Sequence, residues 1–360
     1  MITTTAGSKA WHFSHALGRP SNEHNVGHQF GTTGGYRYPV DVVVAPDDIL
    51  FVLSRGLGYG AGPGFEDFGR IGKTTVDENH IGDFARREFT WPSSIALSKD
   101  NLLYVTDEYE NTVVILPSDV IYPYPDYNPD GERIGQWGKK GSLDGELISP
   151  SGVSINSNND ILVVDSGNNR VQKFSHDGKF ITKLGRKGIN EGEFDRPWGI
   201  TIDNEDNIYV ADWGNNRVQK FSNSGEFIMT FGNRIGPPYD DLNHPSSIAV
   251  DNEGDVYISD WGNKRVVIFE PNGDLLASLY GDAETLSKAG EYIIRRDPET
   301  IRAHRKVKDF SPIWKFVRPV GLDIDNQNRI FITDICGRLQ VYQKESPYIE
   351  PEIKLEIGLS

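Results

Sequence analysis

The chain has 360 residues, 37 basic and 52 acidic, for a formal charge of −15, with 37% hydrophobic and 11% aromatic side chains. That composition excludes a disordered chain, and the acid excess argues against nucleic acid and anionic membranes, because phosphate binding needs clustered Lys and Arg. The one cysteine, Cys336, excludes an internal disulfide and a cysteine-based zinc cluster; no run reaches the roughly 18 apolar residues of a membrane span, and Met1–Ser8 lacks a signal-peptide pattern, which predicts a cytoplasmic protein.

Residues 1–9 read as a disordered tail. Ala10–Gly18 alternates in strand fashion and ends in an apolar residue plus Gly. A repeated block then begins at Pro39. It consists of Pro, an alternating apolar run, a polar turn, a second run and Asp. Copies run from Pro39 to Ser54 (Ser replacing Asp), Pro92 to Asp107, Pro150 to Asp165, Pro197 to Asp212, Pro245 to Asp260 and Pro319 to Asp334, always 15 residues from first to last. After the Asp, the clearest copies continue Gly-Asn-Asn-Arg170, Gly-Asn-Asn-Arg217 and Gly-Asn-Lys-Arg265, each opening another apolar run. A polar turn and a fourth run ending in Gly follow. Each repeat therefore holds four short strands, here A to D, separated by Gly, Asn and Asp turns. This pattern predicts an all-β, six-bladed β-propeller of four-stranded antiparallel blades in one domain, residues 10–345. Closing the ring needs an outer strand for blade 6. Ala10–Gly18 is the inferred source, with Glu352–Gly358 in the 346–360 extension as the competitor.

Antiparallel pairing puts the start of A, the end of B, the B–C loops and the D-to-A connections at one end of the ring, the mouth. The Gly-rich loop 56–64 belongs there, while the insertion at Pro117–Pro129 belongs at the far end. The longest connection, 282–318, is read as a mostly helical cover over the mouth, with a net charge of +3. A brace on the outside of blades 5 and 6 is the other arrangement its length allows.

The blocks from Val164 to Phe174 and from Ala211 to Phe221 resemble NHL repeats, most closely in blades 3 to 5. The resemblance implies a six-bladed propeller with strand A innermost, and no particular function. The segment Ser54-Arg55-Gly56 resembles one in the peptidyl-α-hydroxyglycine α-amidating lyases, which are NHL-type enzymes. That resemblance implies a substrate-contacting arginine at Arg55. The family's catalytic zinc is held by three histidines placed directly after the Pro of blades 2, 4 and 6. Ser93, Trp198 and Val320 stand there, so neither the family-type zinc nor the amidating activity is expected. The family also implies a calcium in the central channel, held by strand A carbonyls and one Asp two places after a Pro. The acid in that rank here is Asp41 of blade 1, whereas the family has it in blade 6, where Gly321 stands.

The mouth residues follow from the repeat. After each Pro stand Val40, Ser93, Ser151, Trp198, Ser246 and Val320; after each Asp position stand Arg55, Glu108, Ser166, Trp213, Trp261 and Ile335. Charged groups fall in blades 1 and 2, and three Trp fall roughly opposite. This is the make-up of a small-molecule pocket, with Ser93, Ser151, Trp198, Trp213 and Trp261 as its ligand-binding wall. Packing between blades is the alternative for Trp213 and Trp261. Arg55 stands where the repeat has lost its Asp, as a grip on an anionic or carbonyl oxygen or as a salt bridge to Glu108. Glu108 is the candidate general base and Tyr109 the candidate proton donor. Cys336 reads as a buried inert thiol, and the Asp/Arg pairs 165/170, 212/217 and 260/265 as turn-fixing ion pairs. His12 and His15 alternate to opposite faces, which disfavours a shared metal. Two functions fit: a small-molecule binder or lyase/hydrolase-type enzyme working at the mouth, and a non-catalytic protein-interaction propeller.

Overall fold

In the computed structural model, residues 2–18, 36, 38–56, 69–85, 88–119, 133–232, 241–296, 298–309 and 314–349 are described. They form six sheets arranged as blades. Blade 1 is Pro39–Val44, Ile49–Ser54, Arg70–Thr75 and His80–Phe84, paired in that order. Blades 2 to 5 repeat the order, with inner strands at Pro92–Leu97, Pro150–Ile155, Ile200–Ile202 and Pro245–Val250. The constant 15-residue separation has a direct cause. Pro39 pairs with Ser54, Pro92 with Asp107, Pro150 with Asp165, Pro245 with Asp260 and Pro319 with Asp334, so each Pro and its partner face each other across strands A and B.

Blades pack face to face. The second strands Ile161–Asp165, Ile208–Asp212 and Val256–Asp260 are buried at every position, which is why they read as unbroken apolar runs. Each hydrophobic cluster spans neighbouring blades. Phe51 and Leu53 of blade 1, for example, share a cluster with Leu103 and Val105 of blade 2.

The N-terminus closes the ring. Lys9–Gly18 pairs antiparallel with Arg338–Glu345, from Ala10 opposite Glu345 to Gly18 opposite Arg338, and so forms the fourth strand of blade 6. The expected disordered tail is corrected. Thr3–Ala6 is a fifth strand, turned back at Gly7 (φ +58°) and Ser8 to pair with Lys9–His12. A two-residue hairpin with Gly at φ > 0 suits this turn, and the added strand covers an otherwise open sheet edge.

A buried charge network locks the closure at the far end. Lys344 Nζ lies 2.5 Å from Asp251, 3.0 Å from Glu253 and 2.9 Å from Asp255 in the A–B turn of blade 5, and Lys9 Nζ lies 2.6 Å from Asp255. Burial acting alone would lower the Lys344 pKa; the hydrogen bonds to Asp251 and Asp255 outweigh it and raise the pKa. Trp11 Nε1 donates to Tyr257 OH at 2.9 Å across the same seam.

The 282–318 connection differs from expectation in two ways. Its described helices, α1 (Lys288–Arg296) and α2 (Pro298–His304), take up less than half of it, since Pro298 opens a new helix instead of continuing the first. The start of α1 also lies at the outer edge of the ring, away from the channel. Lys288 and Ala289 N–H donate to Glu78, in the C–D turn of blade 1, and Ser287 Oγ donates to the Gly18 carbonyl on the outer strand of blade 6. Phe316 N–H donates to Tyr280 O and Ala283 N–H to Trp314 O, so the segment's two ends meet and the excursion is directed outward. Among the described residues no helix is long and apolar enough to cross a membrane.

Candidate functional site

The turn-fixing pairs are present. Arg170, Arg217 and Arg265 Nε each lie 2.8 Å from Asp165, Asp212 and Asp260. Each Asp also accepts a backbone N–H from the strand's entry, at Ile148, Asp195 and Asn243. Burial pushes the Asp165 and Asp212 carboxyls up, and these donors oppose the shift. Blade 1 lacks this device. Its Ser54 is buried, and Ser54 Oγ has no hydrogen-bond partner among the described residues.

The next residue, Arg55, turns to blade 2. Its Nε donates to Pro92 O at 2.8 Å, and its Nη2 donates to Ser93 Oγ at 3.0 Å and to Glu108 Oε2 at 2.9 Å. Arg55 Cζ stands 4.8 Å from the Trp91 ring centroid and 6.0 Å from that of Trp198, which belongs to blade 4. Burial lowers the Arg55 pKa, and Glu108 opposes that shift. The structure thus brings Arg55, Ser93, Glu108 and Trp198 together at the mouth, and the Arg55–Glu108 salt bridge is part of the same cluster. Trp91 was not singled out from the sequence. It stands directly before a repeat Pro, a rank that holds Tyr38, Trp91, Ser149, Arg196, His244 and Arg318.

Other expected pocket residues are placed differently. Ser151 is fully buried and donates to Trp198 O at 2.8 Å, and Ser246 repeats the device on Val320 O at 3.0 Å. These hydroxyls staple one blade to the next, so Ser151 is corrected from pocket wall to structural staple. Ser93 holds the same rank but is bonded to Arg55. Trp213 packs against His244 at 4.0 Å between ring centroids with the rings tilted by 59°, and Arg196 lies over its ring at 4.9 Å. Trp261 stands 6.3 Å from His244 and beneath Arg318 at 4.8 Å. These five side chains form an aromatic and cationic rim on blades 4 to 6, outside the channel lining. Tyr109 is 71% exposed and has no described contact with Arg55 or Glu108. Cys336 is buried, and burial pushes its thiol pKa up. His12 bonds Thr3 and Glu345 while His15 meets Val76 O, so the two rings do not converge. The loop 56–64 beyond Gly56, most of Pro117–Pro129, and Glu352–Gly358 lie outside the described residues.

Below the mouth runs a channel of about 190 Å³ lined by the inner strands of all six blades, with Ser93 and Trp198 in its wall. Asp41 and Asp323 line it too. Asp41 Oδ2 accepts from Ser94 Oγ at 2.6 Å and Ile95 N–H at 3.0 Å, and its Oδ1 accepts from Val42 N–H. Asp323 accepts from Val44 and Ile324 N–H. Burial raises Asp41 to about 6; burial, with the Asp41 charge adding to it, raises Asp323 to about 7. Sequence reasoning missed Asp323 because it stands four places after its Pro instead of two. Calcium takes six to eight oxygens. Among the described residues no group of three or more His, Cys, Asp or Glu could hold a metal ion, and both Asp41 oxygens already hold protein donors. Beside Asp41 and Asp323, a channel calcium would have to draw its oxygens from strand A carbonyls.

Comparison with known proteins agrees with this architecture. The NHL repeat model matches residues 147–174, 194–221 and 242–269. The chain carries three NHL repeats in a six-bladed β-propeller. No curated protein matches it by sequence. Among solved structures it is similar to a catalytically inactive virginiamycin B lyase from Staphylococcus aureus with quinupristin, at TM-score 0.53 and 15% identity over 88% of this chain and 97% of that one. It is also similar to a protein of unknown function from Bacteroides thetaiotaomicron, at TM-score 0.60 and 16% identity over 94% and 76%. An auxiliary nutrient binding protein from the same species matches at TM-score 0.57 and 12% identity over 95% and 77%. At these identities the likeness is one of fold.

Proposed function

We propose that the protein binds a small molecule at the propeller mouth, with Arg55 as the anchor, and performs lyase- or hydrolase-type chemistry there. The Arg55 cluster carries this reading. The guanidinium is fixed between Trp91 and Trp198 and held by Glu108 and Ser93 at the head of a polar channel. An arginine whose Nε and Nη2 are already placed is preorganised, so little ordering is left for ligand binding to supply. In a reaction the guanidinium would stabilise a developing oxyanion, and Glu108 is the nearby carboxylate for proton transfer. One structural neighbour is a lyase and another a nutrient-binding protein; the fold itself does not choose between such roles.

The test is a thermal-shift screen of a small-molecule library against wild type and Arg55→Ala. Ligands that stabilise wild type and lose that effect in Arg55→Ala support the reading, and product analysis of those ligands tests turnover. Hits indifferent to the substitution overturn it. A protein-interaction role is favoured by one observation, the rim Arg196–Trp213–His244–Trp261–Arg318, which presents aromatic and cationic groups side by side, as interface hot spots do.

A further inference from the structure

Ser93 and Ser94 are consecutive residues of the blade 2 inner strand, and they hold opposite charges. Ser93 Oγ accepts from Arg55 at 3.0 Å, whereas Ser94 Oγ donates to Asp41 at 2.6 Å. The two serines are one residue apart on a strand that advances about 3.3 Å per residue, so the groups that hold the cation and the carboxylate are neighbours in rank. Asp323 stands two ranks further along its own inner strand, so the channel is acidic beyond Asp41 as well. The cavity is acidic inside, and at its entrance stands the Arg55 guanidinium, paired with Glu108. Trp198 walls the channel and also faces Arg55.

We propose that this channel takes a small zwitterion, with its anionic end on Arg55 and its ammonium end toward Asp41 and Asp323. The assignment rests on the reading of Arg55 as a ligand anchor and adds the ligand's chemical class. A simple anion would meet two channel carboxylates. A simple cation would meet the Arg55 guanidinium at the mouth. A molecule with both charges satisfies both ends, and the Trp198 ring offers a face for its cationic part. Size narrows the class further. A volume of about 190 Å³ is on the scale of cavities that take one small organic molecule, which suits a single amino acid or betaine.

The experiment is calorimetric titration at pH 8, where both channel carboxylates are ionised. The probes are β-alanine, γ-aminobutyrate and glycine betaine, with acetate and butylammonium as single-charge controls. The expected result is saturable binding of at least one zwitterion, weakened tenfold or more by Arg55→Gln and by Asp41→Asn. Asp323→Asn replaces Asp41→Asn if the latter does not fold. The assignment is overturned if butylammonium or acetate binds as tightly, if the channel substitution leaves zwitterion binding unchanged, or if no zwitterion binds. A ligand that needs Arg55 but ignores Asp41 and Asp323 removes the zwitterion and leaves the mouth-binding reading intact. If no ligand from the probes or the library depends on Arg55, both fall.

Discussion

Arg55 and Glu108 occupy the same rank of adjacent repeats and meet at 2.9 Å across the seam between blades 1 and 2. Their side chains are 18% and 25% exposed. The pair is therefore shielded enough to hold geometry yet open enough for a ligand to reach. Arg55→Ala removes three described hydrogen bonds and is expected to cost about 1–3 kcal/mol of stability. Thermal melts should still show one cooperative transition, because no blade strand is lost. Glu108→Gln keeps the shape, should cost less, and should lower turnover more than binding if Glu108 transfers a proton. Equal loss of both would reassign Glu108 to positioning Arg55.

Ser93 and Ser151 share a repeat rank and carry opposite expectations. Ser151→Ala removes the buried hydrogen bond to Trp198 O and should cost about 1 kcal/mol with little change in binding. Ser93→Ala should barely move the melting temperature while weakening ligand binding through Arg55. Parallel denaturant titrations and binding curves check the contrast; a reversal would mean the two serines have exchanged roles.

Lys344 is fully buried against three carboxylates. Lys344→Met leaves Asp251 and Asp255 without that cation, and breaking a buried pair costs about 3–5 kcal/mol. The closure seam should then open first. Hydrogen exchange would show this as early loss of protection in Lys9–Gly18 and Arg338–Glu345, with blades 3 and 4 unaffected.

Asp41 and Asp323 have a calculable pH signature. Their folded-state pKa values, about 6 and about 7, exceed the ordinary aspartate value of 3.8. Between about pH 4 and pH 7 the folded protein therefore holds protons that the unfolded chain has released. Stability contributed by the protonated forms is fully present below pH 4 and is lost as pH rises through 6 and 7, at up to about 1.4 kcal/mol per pH unit for each group. Asp323→Asn should flatten the fall in unfolding free energy between about pH 4 and pH 7. An unchanged slope in that variant would show that the channel carboxylates do not titrate in this window.

The repeat was readable because its signal is local. The Pro-to-Asp count, the Asp165/Arg170 pair and the apolar second strands all follow from neighbours in the chain. Ring closure by Ala10–Gly18 was readable because those residues copy the outer-strand pattern. The remaining features depend on contacts between distant blades. Nothing local distinguishes Ser93 from Ser151, since each has Pro before it. The difference lies in whether Arg55 of the neighbouring blade reaches the hydroxyl. Trp91 and Asp323 were missed for the same reason: their ranks carry no regular chemistry in the other blades. The outward course of 282–318 depends on Glu78 and Gly18, both far away in sequence.

Pairing Lys9–Gly18 with Arg338–Glu345 also sets an order of events during synthesis. The outer strand of blade 6 leaves the ribosome more than 300 residues ahead of its neighbour. At about 5–20 residues per second, the early strand waits tens of seconds without its partner. Throughout that interval its edge and Trp11 are open to other nascent chains. Thr3–Ala6 can already fold back on it as a local hairpin, because that contact spans only a few residues. The fifth strand thus serves as a temporary cover long before it becomes the outermost layer of a finished blade.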